Sequence, residues 1–510
     1  MSSHVIPTQS GDTGIGARPA GLWFLECRHL GRRASHNWTM DWTKLLSTKR
    51  ARELMGGKPS VRASNDERSE FERDYDRAVF STPVRRLQDK AQVFPLEPHD
   101  AIRTRLTHSL EVSSFARGLA TQIGRWLAEN GEITADQVPH LGAMAAACGL
   151  LHDIGNPPFG HAGEIAIREW FKTAQNRFCD VFEPFRTADM EAVSTALSKD
   201  FLLFDGNAQT MRLITKLQVL ADEYGLNLTC GTLSAAMKYI AGSGQIKPSI
   251  HQLSKLGMFQ SEAELLGKVR EEVGLSGHSR HPITYLVESA DDAAYAIVDL
   301  EDGVKKEVIS WQELATKLKN GIGDLYTPLE ASMKAQLDGK TEPDKWVDGN
   351  AFAQAFRVAA LGIIAAATRD MFKLAYPEII AGSYDKELVY DDRCQAKPLI
   401  EVCKKIGGQD VYPTNDILRL ELRGRRVVHD LMDVFWEGAK IGSKEIRAKD
   451  YPGKTYKLIS KNYRWIFERE MGKRPDGAWE RYLRLQLVTD YVTGMTDGFA
   501  CSLHANLFNG

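Results

Sequence analysis

Along most of the chain, hydrophobic and polar residues recur with the spacing of helices. In residues 107–128 the apolar positions lie roughly three to five residues apart, which predicts a helix with one buried face. Residues 134–151 are apolar almost all round, and this predicts a helix that is buried on every side. Two prolines at 157 and 158 end that pattern, and a third helix is expected from Gly160 onward.

The rest of the chain is dominated by the same helical spacing. Alternation typical of a strand is scarce, and residues 387–391 are the best candidate for one. No internal repeat period is visible in the sequence. The patterns predict an all-α fold whose further helices occupy residues 208–224, 232–240, 283–300, 311–319, 351–374, 418–438 and 479–507.

Composition and charge are those of an ordinary globular protein. The 510 residues include 65 Lys and Arg against 67 Asp and Glu. The resulting net charge of −2 argues against a nucleic-acid-binding protein that is basic throughout, although not against a local basic patch. With 26% charged and 9% aromatic residues, the wholly disordered and fibrous classes are excluded.

Membrane and export signals are not found in the sequence. The longest apolar runs, residues 141–151 and 358–368, are about half the roughly 20 residues that a membrane span needs. The first residues lack a basic stretch followed by an apolar one, the pattern of a secretory signal. The seven cysteines form no C-x-x-C pair, so neither a disulfide framework nor a zinc ribbon is indicated. We therefore expect a soluble, cytoplasmic protein with no membrane partner.

Residues 1–39 differ in character from the sequence that follows. They are rich in Gly, Ser, Thr and Arg and show no sustained periodicity, so we predict a poorly ordered N-terminal extension. Helical character begins at Met40, which makes this methionine an alternative start of the natural protein.

The strongest chemical feature is the pair His152-Asp153, which follows the most apolar helix. A buried carboxylate beside an imidazole is unfavourable without a neutralising partner, and a metal ion would supply one. The alternative is an Asp–His pair that is satisfied at the end of the helix. Farther along the chain, Asp291, Tyr295 and Asp299 lie four residues apart and therefore share one helix face.

Together with His108, at the start of a predicted helix, these residues offer two histidines and two aspartates. Such a donor set suits a borderline divalent cation and leaves positions for water or phosphate. Asp292 points about 100° away from Asp291 on a helix, so we expect it to have a supporting or structural role. Taken alone, Asn207 is better explained as the residue that caps a helix N-terminus.

The pattern His108, His152-Asp153 and Asp291 resembles the signature of the HD-domain metal phosphohydrolases. Longer phrases resemble one branch, the bacterial dGTP triphosphohydrolases, and follow the order of that family from Arg85 to Asp497. These phrases are RRLQDKAQVFPLE, RTRLTHSLEV, LLHDIGNPPFGHAGE, DGNAQTMRLI, GLNLT, MKY, YLVESADDAAYAIVDLEDG and LVTDYVTGMTD.

The resemblance implies an HD-domain catalytic core over residues 40–330. It also implies a helical C-terminal region, residues 331–510, that packs on the core and completes the site or the oligomer. One divalent metal, Mn or Mg with Co, Ni, Fe or Zn as alternatives, would be bound by His108, His152, Asp153 and Asp291. His161 and Glu164 would form the acid/base pair, and their spacing of three residues places both on one helix face.

The resemblance also implies a substrate site. Gln92 and Asp299 would contact the 3′-hydroxyl of the sugar, and Tyr295 would stack below the deoxyribose and exclude a 2′-hydroxyl. The residues implied to line the nucleotide and its phosphates are Arg105, Asn207, Lys238, Tyr239 and Tyr295. The implied reaction converts dGTP and water to deoxyguanosine and tripolyphosphate, in control of the dNTP pool.

Oligomers, commonly hexamers, and a single-stranded DNA effector are further properties that the resemblance implies. The basic stretch 442–464, with interleaved tyrosines, would suit DNA or a phosphate clamp in a neighbouring subunit, and the alternative is a solvated surface. Two rival functions stay open. One is another HD-type nucleotide phosphohydrolase, and the other is a single-stranded-DNA-binding protein with a non-catalytic metal site.

Overall fold

The computed structural model describes residues 39–60, 64–94, 102–177, 191–219, 222–337, 349–440, 450–473 and 477–508. Their secondary structure is helical. The helices of the first part of the chain are α1 (Trp42–Leu45), α2 (Ala51–Leu54), α3 (Glu70–Val79), α4 (Thr82–Arg86), α5 (Arg105–Glu129), α6 (Val138–Leu151), α7 (Gly160–Arg177), α8 (Glu191–Leu202), α9 (Gly206–Arg212), α10 (Cys230–Ala235) and α11 (Ala263–Glu272).

The second part of the chain continues in the same way. Its helices are α12 (Pro282–Lys305), α13 (Trp311–Gly321), α14 (Tyr326–Leu337), α15 (Gly349–Ile380), α16 (Lys397–Ile406), α17 (Asn415–Ala439), α18 (Tyr451–Leu458), α19 (Lys461–Lys473), α20 (Gly477–Thr493) and α21 (Asp497–Phe508). The prediction of an all-α fold is confirmed. Within the described ranges, β-pairing is limited to three isolated bridges.

The prediction of a strand at residues 387–391 is wrong. This segment forms a short 3₁₀ turn, Leu388–Tyr390, in which the Glu387 carbonyl accepts hydrogen bonds from the Tyr390 and Asp391 amides. The neighbouring side chains of Leu388 and Val389 are both fully buried. A strand would send them to opposite faces, whereas the turn directs both into the core.

Three predicted helices end earlier or are interrupted. Residues 232–240 are helical only as far as Ala235, and residues 208–224 form α9 followed by a π-helical turn that ends at Leu217. Residues 479–507 are divided into α20 and α21 by the turn that contains Gly494. The other predicted helices lie within α5, α12, α13, α15 and α17 or, for residues 134–151, combine a 3₁₀ turn with α6.

The centre of the fold is the pair α5 and α6. Helix α6 is buried nearly all round, as its sequence predicts, because α3, α5, α10 and α12 surround it. The two helices approach closely at Gly149, where a β-carbon would lie only 2.8 Å from Ser113 Cα. One turn beyond this approach, His108 of α5 and His152 after α6 come together, with ring centroids 5.4 Å apart.

The C-terminal helices pack against the core in the same compact unit. Contacts group the chain from Thr39 onward as one unit, so the division at residue 330 stays a prediction. Helix α17 packs on α7, α20 and α21, and α15 packs on α12 and α14. By length and composition helix α15 could span a membrane; it packs on α12 and α14, and 39% of its most apolar 18-residue window is buried.

Two predictions lie partly outside the described residues. The N-terminal extension 1–39 is described only at Thr39, and the basic stretch 442–464 only from residue 450. The cysteines that the structure describes, Cys148, Cys230, Cys394, Cys403 and Cys501, are buried free thiols, which agrees with the expected lack of a disulfide framework.

The α5–α6 contact gives a test of the packing. We expect Gly149→Ala to lower stability by about 1–3 kcal/mol, because the new methyl group meets the backbone of Ser113. The matched control is Gly118→Ala, in the same pair of helices but with open space around its β-carbon, which should stabilise the protein by up to about 1 kcal/mol. Denaturant unfolding monitored by circular dichroism measures both, and effects of equal sign would contradict the packing.

Candidate active site

A cavity of about 530 Å³ opens where the ends of α5, α6 and α9 meet α7 and α12. Ten of the thirteen predicted site residues line it: Gln92, Arg105, His108, Asp153, His161, Glu164, Asn207, Lys238, Asp291 and Tyr295. His152 and Tyr239 line a smaller adjoining cavity of about 90 Å³, whose walls also include Lys238 and Asp291. Asp299 is buried behind Tyr412 and lines neither cavity.

The four predicted metal ligands converge between three helices. His108 stands on the first turn of α5, His152 and Asp153 follow α6, and Asp291 lies on α12. Asp291 Oδ1 is 3.3 Å from His108 Nε2 and 3.4 Å from His152 Nε2. Donor atoms of His108, His152 and Asp153 lie within 4.8 Å of one another, which is close enough to share one ion.

The tautomer of His152 shows that these donors suit a cation. Its Nδ1 contacts the carbonyl oxygen of Gly149 at 2.7 Å, which places the ring proton on Nδ1 and a lone pair on Nε2. The buried Nε2 has no hydrogen-bond partner and faces the carboxylates of Asp153 and Asp291, at 3.6 and 3.4 Å. A lone pair facing two carboxylates needs a positive charge between them, and a divalent cation meets that need.

Without a bound ion, the electrostatics of His152 and Asp291 show the same demand for a positive charge at Nε2, which a proton then meets. Burial disfavours the imidazolium, but the charges of Asp153 and Asp291 outweigh burial and raise the pKa of His152 to about 9. Burial likewise opposes ionisation of Asp291, yet the charges of His152 and Lys238 hold the pKa of that carboxyl well below its usual range. The cluster therefore keeps its carboxylates ionised and attracts positive charge.

Two neighbours fix the carboxylate of Asp153. Arg105 forms an ion pair with Oδ2, and the amide of Asn156 donates to Oδ1 at 2.7 Å. Burial raises the pKa of Asp153, but the charges of Arg105 and His152 lower it below the usual range. Asp153 is thus held ionised and in one orientation.

Asp292, the neighbour of Asp291 on α12, faces a different partner. Its Oδ1 lies 2.7 Å from Lys404 Nζ and accepts a longer contact, 3.4 Å, from the hydroxyl of Tyr390. Lys238, in contrast, contacts Asp291 Oδ2 at 3.4 Å. The supporting role predicted for Asp292 agrees with this geometry.

His161 and Glu164 form a hydrogen-bonded pair at the start of α7. His161 Nδ1 lies 3.0 Å from Glu164 Oε2, and the opposite oxygen, Oε1, accepts from the amide of Gly206 at 2.8 Å. The histidine side chain is 78% exposed and the glutamate only 6%, so a buried carboxylate orients an accessible imidazole. The hydrogen bond to Glu164 raises the pKa of His161.

Asn207 does not cap a helix, which corrects the explanation favoured for this residue taken alone. The cap of α9 is Asp205, whose Oδ1 accepts from the Asn207 amide nitrogen at 2.9 Å and from its side-chain nitrogen at 2.7 Å. Asn207 is instead the second residue of α9 and lines both cavities. A sequence of Asp-Gly-Asn offers two residues able to cap, and only the fold distinguishes them.

Tyr295 and Asp299 share a partner that the sequence did not reveal. The ring of Tyr412 lies 5.8 Å from that of Tyr295, and its hydroxyl donates to Asp299 Oδ2 at 2.9 Å. Burial raises the pKa of Asp299 to about 8. The other cavity-lining residues outside the motif phrases are Lys255, Ile417 and Glu421. The phrases themselves contain lining residues to which no role was assigned, such as Asn156 and Asp205.

A second group with metal-ligand chemistry lies outside this cluster. His251 Nε2 is 2.8 Å from Glu288 and 3.1 Å from Glu387. Glu288 is also bound by the buried guanidinium of Arg280 at 3.1 Å. A cationic partner for Glu288 is therefore already present, and the group is explained as a buried ion-pair network.

Comparison with known proteins gives consistent matches. The family model of the HD domain matches residues 105–215. A "Deoxyguanosinetriphosphate triphosphohydrolase-like protein" of Listeria monocytogenes is 35% identical over 479 residues, covering 92% of this chain and 99% of the relative. One of the same description from Synechocystis sp. is 34% identical over 483 residues, with coverages of 92% and 99%. A "Deoxyguanosinetriphosphate triphosphohydrolase" of Klebsiella pneumoniae is 31% identical over 493 residues, with coverages of 87% and 94%.

Adjacent aspartates on α12 give a test of the metal cluster. We expect Asp291→Asn to weaken Mn²⁺ binding by about 10²-fold, because it removes a carboxylate that faces both histidines. Asp292→Asn, the control, should leave the affinity unchanged, since Lys404 holds that side chain. Isothermal titration with Mn²⁺ measures both, and equal affinities of the two variants would refute the assignment.

Proposed function

Because the chain belongs to the HD-domain family of deoxyguanosinetriphosphate triphosphohydrolases, we propose that it hydrolyses dGTP to deoxyguanosine and tripolyphosphate. By its family the chain is a dNTP triphosphohydrolase. One observation carries the proposed reaction. The cavity brings the His/Asp cluster together with a hydrogen-bonded His–Glu pair, so a phosphoryl group bound at the cluster has an acid/base group beside it.

The HD domain uses a divalent metal, and the donor set of this chain fits one. His108, His152, Asp153 and Asp291 would hold it, and when bound it supplies Lewis-acid polarisation of the α-phosphoryl group. We propose Mn²⁺ or Mg²⁺, because mixed imidazole and carboxylate donors admit both, with Co, Ni, Fe and Zn as alternatives. Arg105 and Asn156 keep Asp153 oriented for this role.

His161 is the proposed acid/base residue. Because Nδ1 is bonded to Glu164, Nε2 is the atom that exchanges a proton with the reactants. Glu164 fixes the ring and favours its protonated form, and the Gly206 amide fixes Glu164. His161 can protonate the departing 5′-oxygen of the nucleoside or accept a proton from the attacking water.

The proposed phosphate-binding residues supply the positive charge that a triphosphate requires. A nucleoside triphosphate carries about three to four negative charges, and charge-assisted hydrogen bonds from Arg and Lys neutralise them. Arg105 and Lys238 line the cavity, and Lys238 also lines the adjoining cavity together with Tyr239. Asn207 lines both cavities and adds an uncharged donor between them.

The proposed sugar site is built from Gln92 and Tyr295, and Asp299, which lines neither cavity, would act through the hydroxyl of Tyr412 that it binds. The Oε1 atom of Gln92 is buried without a hydrogen-bond partner, which suits an acceptor for the 3′-hydroxyl. The ring of Tyr295 contacts two neighbours: the ring of Tyr412, with centroids 5.8 Å apart, and the ammonium of Lys404, 5.5 Å from the ring centroid. A ring held in this way resists displacement by a 2′-hydroxyl, which supports selection for deoxyribose.

The proposal extends to a homo-oligomer, a hexamer by resemblance, that acts in the cytoplasm in control of the dNTP pool. A single-stranded DNA effector is also part of the proposal.

The described part of the basic stretch offers lysines at the surface: Lys454, Lys457 and Lys461 are exposed. Of its tyrosines, Tyr456 and Tyr463 are buried and Tyr451 is exposed. Phosphate contacts from lysines, more than base stacking, would therefore carry such an interaction.

Product analysis tests the proposed reaction. The purified protein is incubated with Mn²⁺ or Mg²⁺ and each dNTP in turn, with GTP as the control, and products are separated by ion exchange. Deoxyguanosine and tripolyphosphate from dGTP, with GTP intact, are expected. Monophosphate and pyrophosphate would indicate another HD-type nucleotide phosphohydrolase. Absence of turnover, even with mixed dNTPs and DNA, would favour a DNA-binding protein with a non-catalytic metal site.

Removing the proposed acid/base group should separate chemistry from binding. We expect His161→Ala to lower kcat by about 10²–10⁴-fold, the usual contribution of such a group, while metal and nucleotide binding persist. Single-turnover kinetics and Mn²⁺ titration measure the two properties separately. Collapse of Mn²⁺ affinity would make His161 a metal ligand and refute its assigned role.

The Glu164 hydrogen bond gives a pH-dependent test. In Glu164→Gln, the pKa of His161 should fall toward its ordinary value of about 6.5, because the charge that stabilises the imidazolium is gone. The limb of the kcat–pH profile that belongs to His161 should move to lower pH, whichever way the proton travels. Glu421→Gln, a cavity carboxylate away from the pair, is the control and should leave that limb in place.

A further inference from the structure

The turn between α20 and α21 contacts two loops of the candidate active site. Asp497, at the start of α21, is 1% exposed. Its Oδ1 accepts a hydrogen bond from the Phe159 amide at 2.8 Å, and its Oδ2 accepts one from the Ala91 amide at 3.1 Å. Ala91 directly precedes Gln92, and Phe159 and Gly160 directly precede His161. One carboxylate therefore joins the loop of the proposed sugar site to the loop of the acid/base residue.

A buried lysine ties the same three segments together. The ammonium of Lys90 donates to the carbonyl oxygens of Asn156 at 2.5 Å and Thr493 at 3.0 Å. Asn156 belongs to the loop that holds Asp153, and Thr493 ends α20. Lys90 and Asp497 thus link residues 90–92, 156–160 and 493–497 through four hydrogen bonds to backbone atoms.

The turn before His161 requires such support. Phe159 has a φ of 64°, a left-handed backbone conformation that residues other than glycine rarely adopt. Gly160 follows with a φ of 56°. Such a conformation persists only where the surrounding structure holds it. The Asp497 carboxylate holds the amide of Phe159, and the ring packs on α17 where a β-carbon at Gly424 would lie 2.5 Å from Phe159 Cγ.

We propose that Asp497 is a positioning residue that sets His161 and Gln92 relative to each other through the backbone of their loops. The inference rests on the proposed function, because it assigns Asp497 to the same site. The C-terminal turn thereby sets the distance between His161 and Gln92, so that both can contact the same substrate molecule. Asp497 touches neither the metal-binding cluster nor the cavity, so its effect is on geometry.

The test uses the isosteric variant Asp497→Asn in the full-length protein. The carboxamide keeps one acceptor but presents an N–H group to the other amide, so one of the two hydrogen bonds is lost. Hydrogen exchange at the Ala91 or Phe159 amide should accelerate by about tenfold or more, since a protecting bond is gone. We expect kcat for dGTP to fall by about 10–100-fold, as for a reacting group displaced by a fraction of an ångström to 1 Å. Mn²⁺ affinity should be unchanged.

The matched control is Asp430→Asn. Asp430 also holds α21 in place, through His504 at 2.8 Å, but its carboxylate lies on α17 and bonds Arg426 instead of either loop. Asp430→Asn should leave amide exchange at positions 91 and 159 and kcat close to those of the wild type. If it reproduces the loss seen in Asp497→Asn, general docking of α21 explains the effect and the proposal is overturned.

Two further outcomes separate the proposal from the function on which it rests. Wild-type exchange and a kcat within about twofold in Asp497→Asn would overturn the positioning role. If the wild type hydrolyses no dNTP, the proposed function fails, and amide exchange alone decides whether Asp497 holds both loops. Should Asp497→Asn not fold, Asp497→Glu provides the same measurement, because it keeps the carboxylate but displaces it by one methylene from the amides of Ala91 and Phe159.

Discussion

The candidate active site depends on the close approach of α5 and α6 at Gly149. That glycine lets the two helices touch along their backbones, and its carbonyl oxygen fixes the His152 ring in the tautomer whose Nε2 faces Asp153 and Asp291. Gly149 thus sets the separation of His108 and His152. It also determines that Nε2 of His152 is the nitrogen that faces the carboxylates. Helix α12, which packs on both helices, brings Asp291 to the same point. The candidate metal-binding cluster is therefore a consequence of core packing.

Charge balance organises the surroundings of this cluster. Ionised carboxylates buried in a protein interior need cationic partners, and the three aspartates in and beside the cluster, Asp153, Asp291 and Asp292, each have one. Arg105 contacts Asp153, Lys238 contacts Asp291, and Lys404 contacts Asp292. Arg105 and Lys238 also line the cavity, so the cations that stabilise the fold are those that would meet a triphosphate. Arg105 and Lys238 thus stabilise the folded protein when no substrate is bound, and the same two residues are available to bind an anion.

The helical periodicity and the order of the motifs were sufficient to predict the fold class, and ten of the thirteen predicted site residues line the cavity. Prediction failed where local pattern and tertiary contact disagree. Residues 387–391 resemble a strand because a short run of apolar and aromatic residues, Leu388 to Tyr390, stands between two acids, yet Leu388 and Val389 enter the core together. Asn207 resembles a helix cap, but Asp205 takes that position. The sugar contact of Asp299 stays a prediction, because its carboxylate binds Tyr412, from a distant turn, and lines neither cavity.

By itself, the sequence determined which residue types are present and which of them share a helix face, because these follow from the fixed geometry of the α-helix. His161 and Glu164 at a spacing of three, and Asp291 and Tyr295 at a spacing of four, are properties of this kind. Only the tertiary structure decided that Lys404 supports Tyr295, that Tyr412 holds Asp299, and that Asp497 joins the loops of Gln92 and His161. These contacts join residues from about a hundred to four hundred positions apart, and no local rule of spacing encodes them, because packing of the whole chain brings them together.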